Sequence, residues 1–210
     1  MYLRLFSFLI IMVALPQSFA GLLLEPYVGA AGGTYSSEVK TGGFSIGSPM
    51  DSKLSGTAYG GRVGFKLLAV WAAIDYMAVN LAVKYDKPLG TPDGSAKGQF
   101  IFADVGVDLP FLFRFYGGYG FSNYLKASGN NSAGAAGEET LKGGSALKAG
   151  VGFSFIKFLS INLEYIKPTY TNYALSTGGV SFYDGSADTN FKSLDQSFSM
   201  VSLSFPFSLL

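Results

Sequence analysis

FIFADVGVDLPFLFRFYGGYGF, residues 100–121, is the stretch on which the fold turns. On its first arm Ile101, Ala103, Val105, Val107 and Leu109 share one side, and Asp104, Gly106 and Asp108 share the other. After Pro110-Phe111-Leu112 the alternation resumes. Phe113, Phe115, Gly117, Tyr119 and Phe121 face one way, and Arg114, Tyr116, Gly118 and Gly120 the other. Side chains alternate across a strand with period two, so this is a two-sided hairpin and not a helix. A soluble sandwich also alternates, but its polar face meets water and favours Lys, Glu and Thr. Here the polar face carries glycines and isolated charges, while the apolar face is crowded with aromatics. Lipid outside and a small packed lumen inside satisfy both faces.

Composition agrees. Charged residues make up 14% of the 210-residue chain and apolar residues 49%, against about 25% charged in soluble proteins. Yet after residue 20 no run approaches the ~18 apolar residues of a membrane helix. The hydrophobicity is dispersed by alternation. Glycine (28 residues) and aromatics (16%) suit a barrel with small residues inside and aromatic girdles outside.

Residues 1–20 read as a cleaved signal peptide, leaving 21–210 as a single barrel domain. Arg4 is the positive n-region, Leu5 to Leu15 the apolar core, and Ser18-Phe19-Ala20 the cleavage site. Removing Arg4 from the 15 basic residues leaves 14, equal to the 14 acidic ones. That neutrality argues against nucleic acid as a partner. Cysteine is absent, which excludes disulfide and thiolate chemistry, and so is histidine.

Taken in order, the mature chain divides into eight strands. Strand one, within 22–35, sets Leu22, Leu24, Val28 and Ala30 outward and Glu25, Tyr27 and Gly29 inward. Strand two, 56–67, sets Tyr59, Val63, Phe65 and Leu67 outward and Arg62, Gly64 and Lys66 inward. Strand three starts at Trp71 after a tight turn at Leu68-Ala69. There Ile74, Tyr76 and Ala78 fit an outward face and Asp75 an inward one, but Leu81, Val83 and Tyr85 have the opposite parity. A bulge between Met77 and Asn80 is expected to shift the frame. The hairpin at 100–121 supplies strands four and five. Strand six sets Leu147, Val151 and Phe153 against Lys148, Gly150 and Gly152; strand seven sets Ile161, Leu163 and Tyr165 against Asn162 and Glu164. Strand eight, Gln196 to Phe207, puts Val201, Leu203, Phe205 and Phe207 on one face.

Between strands, short turns alternate with long polar segments at 36–55, 86–98, 122–145 and 172–194. Outer-membrane barrels sort their connections in this way, short on the periplasmic side and long on the extracellular side. VGFKLLAVWAAIDY (63–76) and VGFSFIKFLSINLEY (151–165) echo one another, as two up-down hairpins of one geometry would.

The chain resembles the small eight-stranded outer-membrane barrels, the group of the OmpA transmembrane domain, OmpX and OmpW. The likeness rests on YVGAAGG (27–33), GGRVGF (60–65), ADVGVD (103–108) and SLSFPF (202–207). It implies an all-β, eight-stranded antiparallel up-and-down transmembrane barrel in a Gram-negative-type outer membrane. It also implies contact with outer-membrane lipid and lipopolysaccharide, and recognition of the alternating aromatic C-terminal strand by the barrel assembly machinery. By the same resemblance the four loops are candidate contacts for an extracellular ligand.

Nine charges are expected inside the barrel: Glu25, Arg62, Lys66, Asp75, Asp104, Asp108, Arg114, Lys148 and Glu164. A three-residue turn at 110–112 sets Asp108 opposite Arg114, and a two-residue turn at 68–69 sets Arg62 opposite Asp75. An eight-stranded lumen is just wide enough for side chains to fill. The charges should therefore pair, because an unpaired buried charge costs several kcal/mol. A structural plug is one reading; a gated narrow path for ions or small solutes is the other. An enzyme is not expected. Without histidine no side chain titrates near neutrality unperturbed, and Asp104 and Asp108, four residues apart on one strand, lie ~13 Å from each other. No cofactor or metal is expected. Asp184, Asp188, Glu138 and Glu139 lack calcium-loop spacing and read as solvated loop charge. Tyr59, Tyr119, Phe121 and Tyr165 read as interfacial belts.

Overall fold

A computed structural model describes residues 21–39, 50–85, 94–109, 112–130, 136–156, 158–177, 180–186 and 191–209. The proposed signal peptide lies outside them. The described residues form twelve strand segments. These are β1 (Gly21–Val39), β2 (Met50–Leu67), β3 (Val70–Tyr85), β4 (Gly94–Asp108), β5 (Phe113–Asn130) and β6 (Ala136–Lys142), followed by β7 (Ala146–Ile156), β8 (Leu159–Pro168), β9 (Asn172–Thr177), β10 (Val180–Ser186), β11 (Phe191–Ser204) and β12 (Phe207–Leu209).

Eight of them close into a barrel in the order β1-β2-β3-β4-β5-β7-β8-β11 and back to β1, every pair antiparallel. The other segments are continuations. β6 pairs with the far end of β5, β9 with β6, and β10 with β9. Gly143 and Gly144, at φ +75 and +74, break the wall between β6 and β7. β12 pairs with the start of β1 beyond Pro206. The all-β, eight-stranded antiparallel barrel expected from the alternation is the architecture observed.

Register fixes its dimensions. The row leaving β2 at Phe65 crosses Ala72, Val105, Gly117, Ala149, Tyr165, Ser199 and Gly32 and returns to β2 at Ser55. That stagger of about ten residues gives a strand tilt of about 40°, within the usual range for closed barrels. Each step around the wall thus lifts the row by about one and a quarter residues. Exposed Tyr59, Tyr76, Tyr119 and Tyr165 fall at one level, and exposed Phe65, Phe113, Phe158 and Phe207 at another. From Tyr59 down to Leu67, where β2 enters the turn at Leu68-Ala69, the apolar band is about 20 Å tall, close to the hydrophobic height of a membrane barrel.

Two expectations change. β2 and β3 pair without interruption from Leu67↔Val70 to Ser52↔Tyr85, so there is no bulge between Met77 and Asn80. Trp71, Ala73, Asp75, Met77, Val79, Leu81 and Val83 all point inward on one parity; what changes is the chemistry of the interior. A register shift does occur elsewhere, where Ile101 pairs with Ser122 but Phe102 with Gly120. The strands also run well into the segments read as loops: β1 to Val39, β2 from Met50, β4 from Gly94 and β5 to Asn130, while β6, β9 and β10 lie wholly within two of them.

The interior therefore has two storeys. Level with the apolar band it holds the charges. Above the tyrosines it is mainly apolar, built from Leu54, Ala58, Met77, Val79, Leu81, Val83, Phe100, Phe102, Leu125, Leu141, Ile166, Phe198 and Met200, with Ser52, Asn123 and Gln196 buried among them. At that upper level the outer face is polar, with Lys53, Ser55, Thr57, Asn80, Lys84, Ser95 and Lys97 exposed. The sidedness of the wall inverts at the tyrosine level.

Candidate functional site

The lower storey is built around Arg62. Register alone sets Glu25, Arg62 and Asp75 side by side on β1, β2 and β3. Arg62 is fully buried and spends its guanidinium on four acids. It donates from Nη1 to Glu25 at 2.9 Å and from Nε to Asp75 at 3.2 Å; Asp104 lies 3.5 Å from Nε, and Nη2 bonds Glu164. Its five fixed donors suit it to such a hub, which a lysine could not replace. Lys148 bridges Asp75 and Asp104 from the other wall.

A second group lies nearer the short turns. Asp108 and Arg114 face one another at the paired ends of β4 and β5, and Arg114 Nε donates to Asp108 at 3.2 Å. Leu109 N donates to Phe113 O at 2.7 Å beneath that pair, and Leu112 turns the chain at φ +70. Lys66 also bonds Asp108. Arg114 Nη1 reaches Glu25 at 2.7 Å, so Glu25 ties the two groups together. All nine charged residues are thus joined through ion pairs. Glu25, Arg62, Asp75, Asp104, Arg114, Lys148 and Glu164 are buried, and Lys66 and Asp108 half-buried.

Aromatic side chains complete the cluster. Tyr27 and Tyr116 clamp the Arg62 guanidinium from two sides, with ring centroids 4.9 and 4.6 Å away. Their hydroxyls donate to Asp75 at 2.9 Å and to Glu164 at 2.6 Å. Trp71 donates to Asp108 at 3.0 Å and lies under Arg114, and Phe102 lies under Lys148. Sequence reasoning gave these aromatics no role in the cluster. The signal was present in their parity, since Tyr27 alternates with Glu25, Tyr116 with Arg114, and Trp71 with Asp75. Two glycines make room: a Cβ on Gly118 would lie 1.9 Å from Asp104 Oδ1, and one on Gly150 would lie 2.3 Å from the Tyr116 ring. Beside the cluster Asn162 donates to Ser204 at 2.8 Å.

Of the loop carboxylates, Glu138 pairs with Lys126 at 3.0 Å. Glu139 is half-buried and accepts from Tyr35 at 2.7 Å. Burial pushes its carboxyl up, partly offset by that bond. The Asp184 side chain and Asp188 lie outside what the structure describes. Among the described residues no three acids come together as a metal site.

No protein-family model matches the sequence, and no curated protein matches it either. Solved structures do. The outer membrane protein OprG from Pseudomonas aeruginosa aligns over 90% of this chain and 97% of its own, with TM-score 0.57 and 17% identity. The fold is that of the small outer-membrane β-barrels. Neisserial surface protein A aligns over 90% of this chain and 99% of its own (TM-score 0.50, 16% identity). AlkL, solved in DMPC bilayers, aligns over 90% and 91% (0.51, 10% identity). At these identities the likeness concerns the barrel and not its use. It does fit the apolar band, whose outward Val63, Phe65, Ile74, Val105, Phe115, Leu163 and Val201 are exposed in the isolated chain and would otherwise lie bare in water.

Proposed function

We propose that this chain is a non-enzymatic outer-membrane barrel, a structural and surface-exposed component of the envelope. It is exported through a cleaved signal at residues 1–20 and assembled through its C-terminal strand. Its four long connections face outward and its lumen is plugged. The observation that carries this reading is that both storeys are occupied by side chains. Below, four bases and five acids knit together around Arg62. Above, Phe100, Phe198, Met77 and Met200 are at most 1% exposed. A gap beside Tyr35, Leu54 and Glu139 measures about 20 Å³, room for about one water. Charges already committed to one another leave no free acid–base pair for catalysis, and no histidine is available to serve as one.

A narrow ion path is the second reading, and one observation favours it. Glu25 Oε2, Glu164 Oε2 and Asp104 Oδ1 accept no hydrogen bond although buried, so the network has unused acceptor capacity. Conductance separates the two. Refolded 21–210 in a planar bilayer is expected to be silent, and the Arg114→Ala variant leaky. Reproducible discrete openings in the unaltered protein would overturn the plug and make the lumenal charges a selectivity filter.

A further inference from the structure

Three breaks in the upper wall fall on one line. β4 pairs Ile101 with Ser122 and Phe102 with Gly120, which leaves Phe121 as an extra residue in β5. Next to it Gly143 and Gly144 part β6 from β7, and beyond those, residues 169–171 part β8 from β9. Backbone bonds place the breaks side by side: Gly143 N donates to Asn123 O at 3.0 Å, Thr169 N to Ser145 O at 2.6 Å and Thr171 N to Lys142 O at 3.3 Å. Above this line β6, β9 and β10 form a flap whose ladder joins the wall through β5 alone. On its other side no ladder closes it among the described residues. β11 pairs with β8 only as far as Phe198↔Ile166, and β10 pairs only with β9. Side chains do the closing there. Tyr170, on the line of breaks, donates to Gln196 of β11 at 2.7 Å, and Tyr35 of β1 donates to Glu139 of β6 at 2.7 Å. The inner face of the flap lays Leu141 into the apolar storey, with Tyr173 packed at its border.

From these observations we propose that β6, β9 and β10 are a lid over the upper storey, shut in acid and loosened as pH rises, with Glu139 as its latch. The lid is independent of whether the lower storey conducts. Glu139 borders the small gap beside Tyr35, well above the tyrosine level. Tyr35 of β1 and Tyr173 of β9 are the titratable groups that face it, while β2, β3, β4 and β5 turn Leu54, Val83, Ala96 and Leu125 toward it. A neutral carboxyl sits among such neighbours at little cost and still accepts from Tyr35. An ionised one gives up its water with no base to meet it, and a charge buried in that way is expensive. Swinging the flap outward returns the carboxylate to water. Burial pushes the Glu139 carboxyl up, partly offset by the Tyr35 bond, so the shut lid holds the proton more tightly than the open one. Shutting is therefore favoured in full below the ordinary carboxylate value of about 4.3. The preference fades as pH rises through the higher value of the shut lid.

The chain has no cysteine, so single cysteines in the refolded mature protein report the lid. Ala96 faces the gap and is 2% exposed; A96C should react with a thiol reagent only when the lid opens. Leu125, beside it on β5 and also buried, gives L125C as a second reporter should A96C fail the heat-dependent gel shift that marks a folded barrel. The exposed neighbour Ser95 gives S95C, which supplies the rate of an open thiol at each pH. Ala73, buried beside Trp71 in the lower storey, gives A73C, which reports opening of the whole barrel. Relative to S95C, labelling of A96C is expected to rise about tenfold for each pH unit by which the shut lid raises the carboxyl, and then to level off. E139Q should hold the rate at its acid level at every pH, a gain in protection that the loss of a merely structural contact does not give. Equal relative labelling at about pH 4 and about pH 8, or a rise that survives E139Q, overturns the proposal. Labelling of A73C in step with A96C overturns it too, because the whole barrel would then be opening and not the lid.

Discussion

Arg62→Met tests the lumenal network at its hub. The substitution keeps an unbranched apolar stem, shorter by the guanidinium end, and removes the charge that four acids share. Three bases then face five acids. Glu25 retains Arg114, and Asp75 and Asp104 retain Lys148. Among the described residues Glu164 keeps only the Tyr116 hydroxyl. Removing one partner of a buried ion pair costs about 3–5 kcal/mol, because it strands the other charge. The expected loss is therefore about 4 kcal/mol, with Glu164 the main casualty. Arg62→Met/Glu164→Gln should recover about 1 kcal/mol or more of it, since the stranded charge is gone. The assay is urea unfolding in lipid vesicles followed by tryptophan fluorescence. The chain has a single tryptophan, Trp71, and it sits in the network against Asp108 and Arg114. A single variant within 1 kcal/mol of the parent, or a double variant no better than the single, would refute the account of Arg62 as the hub.

Two further outcomes follow from the upper storey. Phe100 is fully buried between Phe102 and Phe198, at ring separations of 6.2 and 5.6 Å, so Phe100→Ala should cost about 3–5 kcal/mol in the same urea assay; a loss below 1 kcal/mol would mean that the storey is not a packed core. Burial raises the Glu139 carboxyl, so the folded state holds that proton more tightly than the unfolded one. Its contribution is complete below the unfolded value near 4.3 and fades as pH rises through the higher folded one. Thermal midpoints should accordingly fall above the ordinary carboxylate range, and Glu139→Gln should flatten that slope; an unchanged slope in the variant would assign the effect to another group.

Much of this was legible in the sequence, because a membrane barrel writes its two faces into alternate residues. Every charge in the lower storey could be placed from parity and turn length, including the opposed pairs Arg62/Asp75 and Asp108/Arg114. The upper storey was harder to read. Asp75 marks the inner face of β3 as polar, so inward Leu81 and Val83 look out of frame. A bulge restores them only if the interior has one chemistry throughout. Parity is a local property of the strand, but which face should be apolar depends on the surrounding medium, and that changes with height. The loop boundaries went astray for the same reason. Above the membrane a strand with a polar outer face and small residues, such as Lys53-Leu54-Ser55-Gly56-Thr57, has the composition of a loop.

The inversion also explains why the lower lumen is charged when apolar residues would pack there at less cost. Well-packed apolar replacements for a buried ion network are often neutral or stabilising, so folded-state stability alone gives no reason to keep it. The reason lies in the chain before it folds. Lipid must be met by an apolar outer face, and an apolar inner face as well would fuse each strand into an unbroken hydrophobic run. On β3 and its turn, Asp75 is the only polar side chain between Leu67 and Val79. Replacing it would leave thirteen apolar residues in succession, rich in β-formers and without charge, which is the composition of an aggregating segment. Asp75→Leu, diluted from urea into lipid-free buffer, should therefore scatter light earlier than the parent. Arg62→Met provides the control, because it also breaks the network but leaves this run interrupted. If both variants scatter alike, the effect belongs to lost ion pairing, and the argument from the unfolded chain fails.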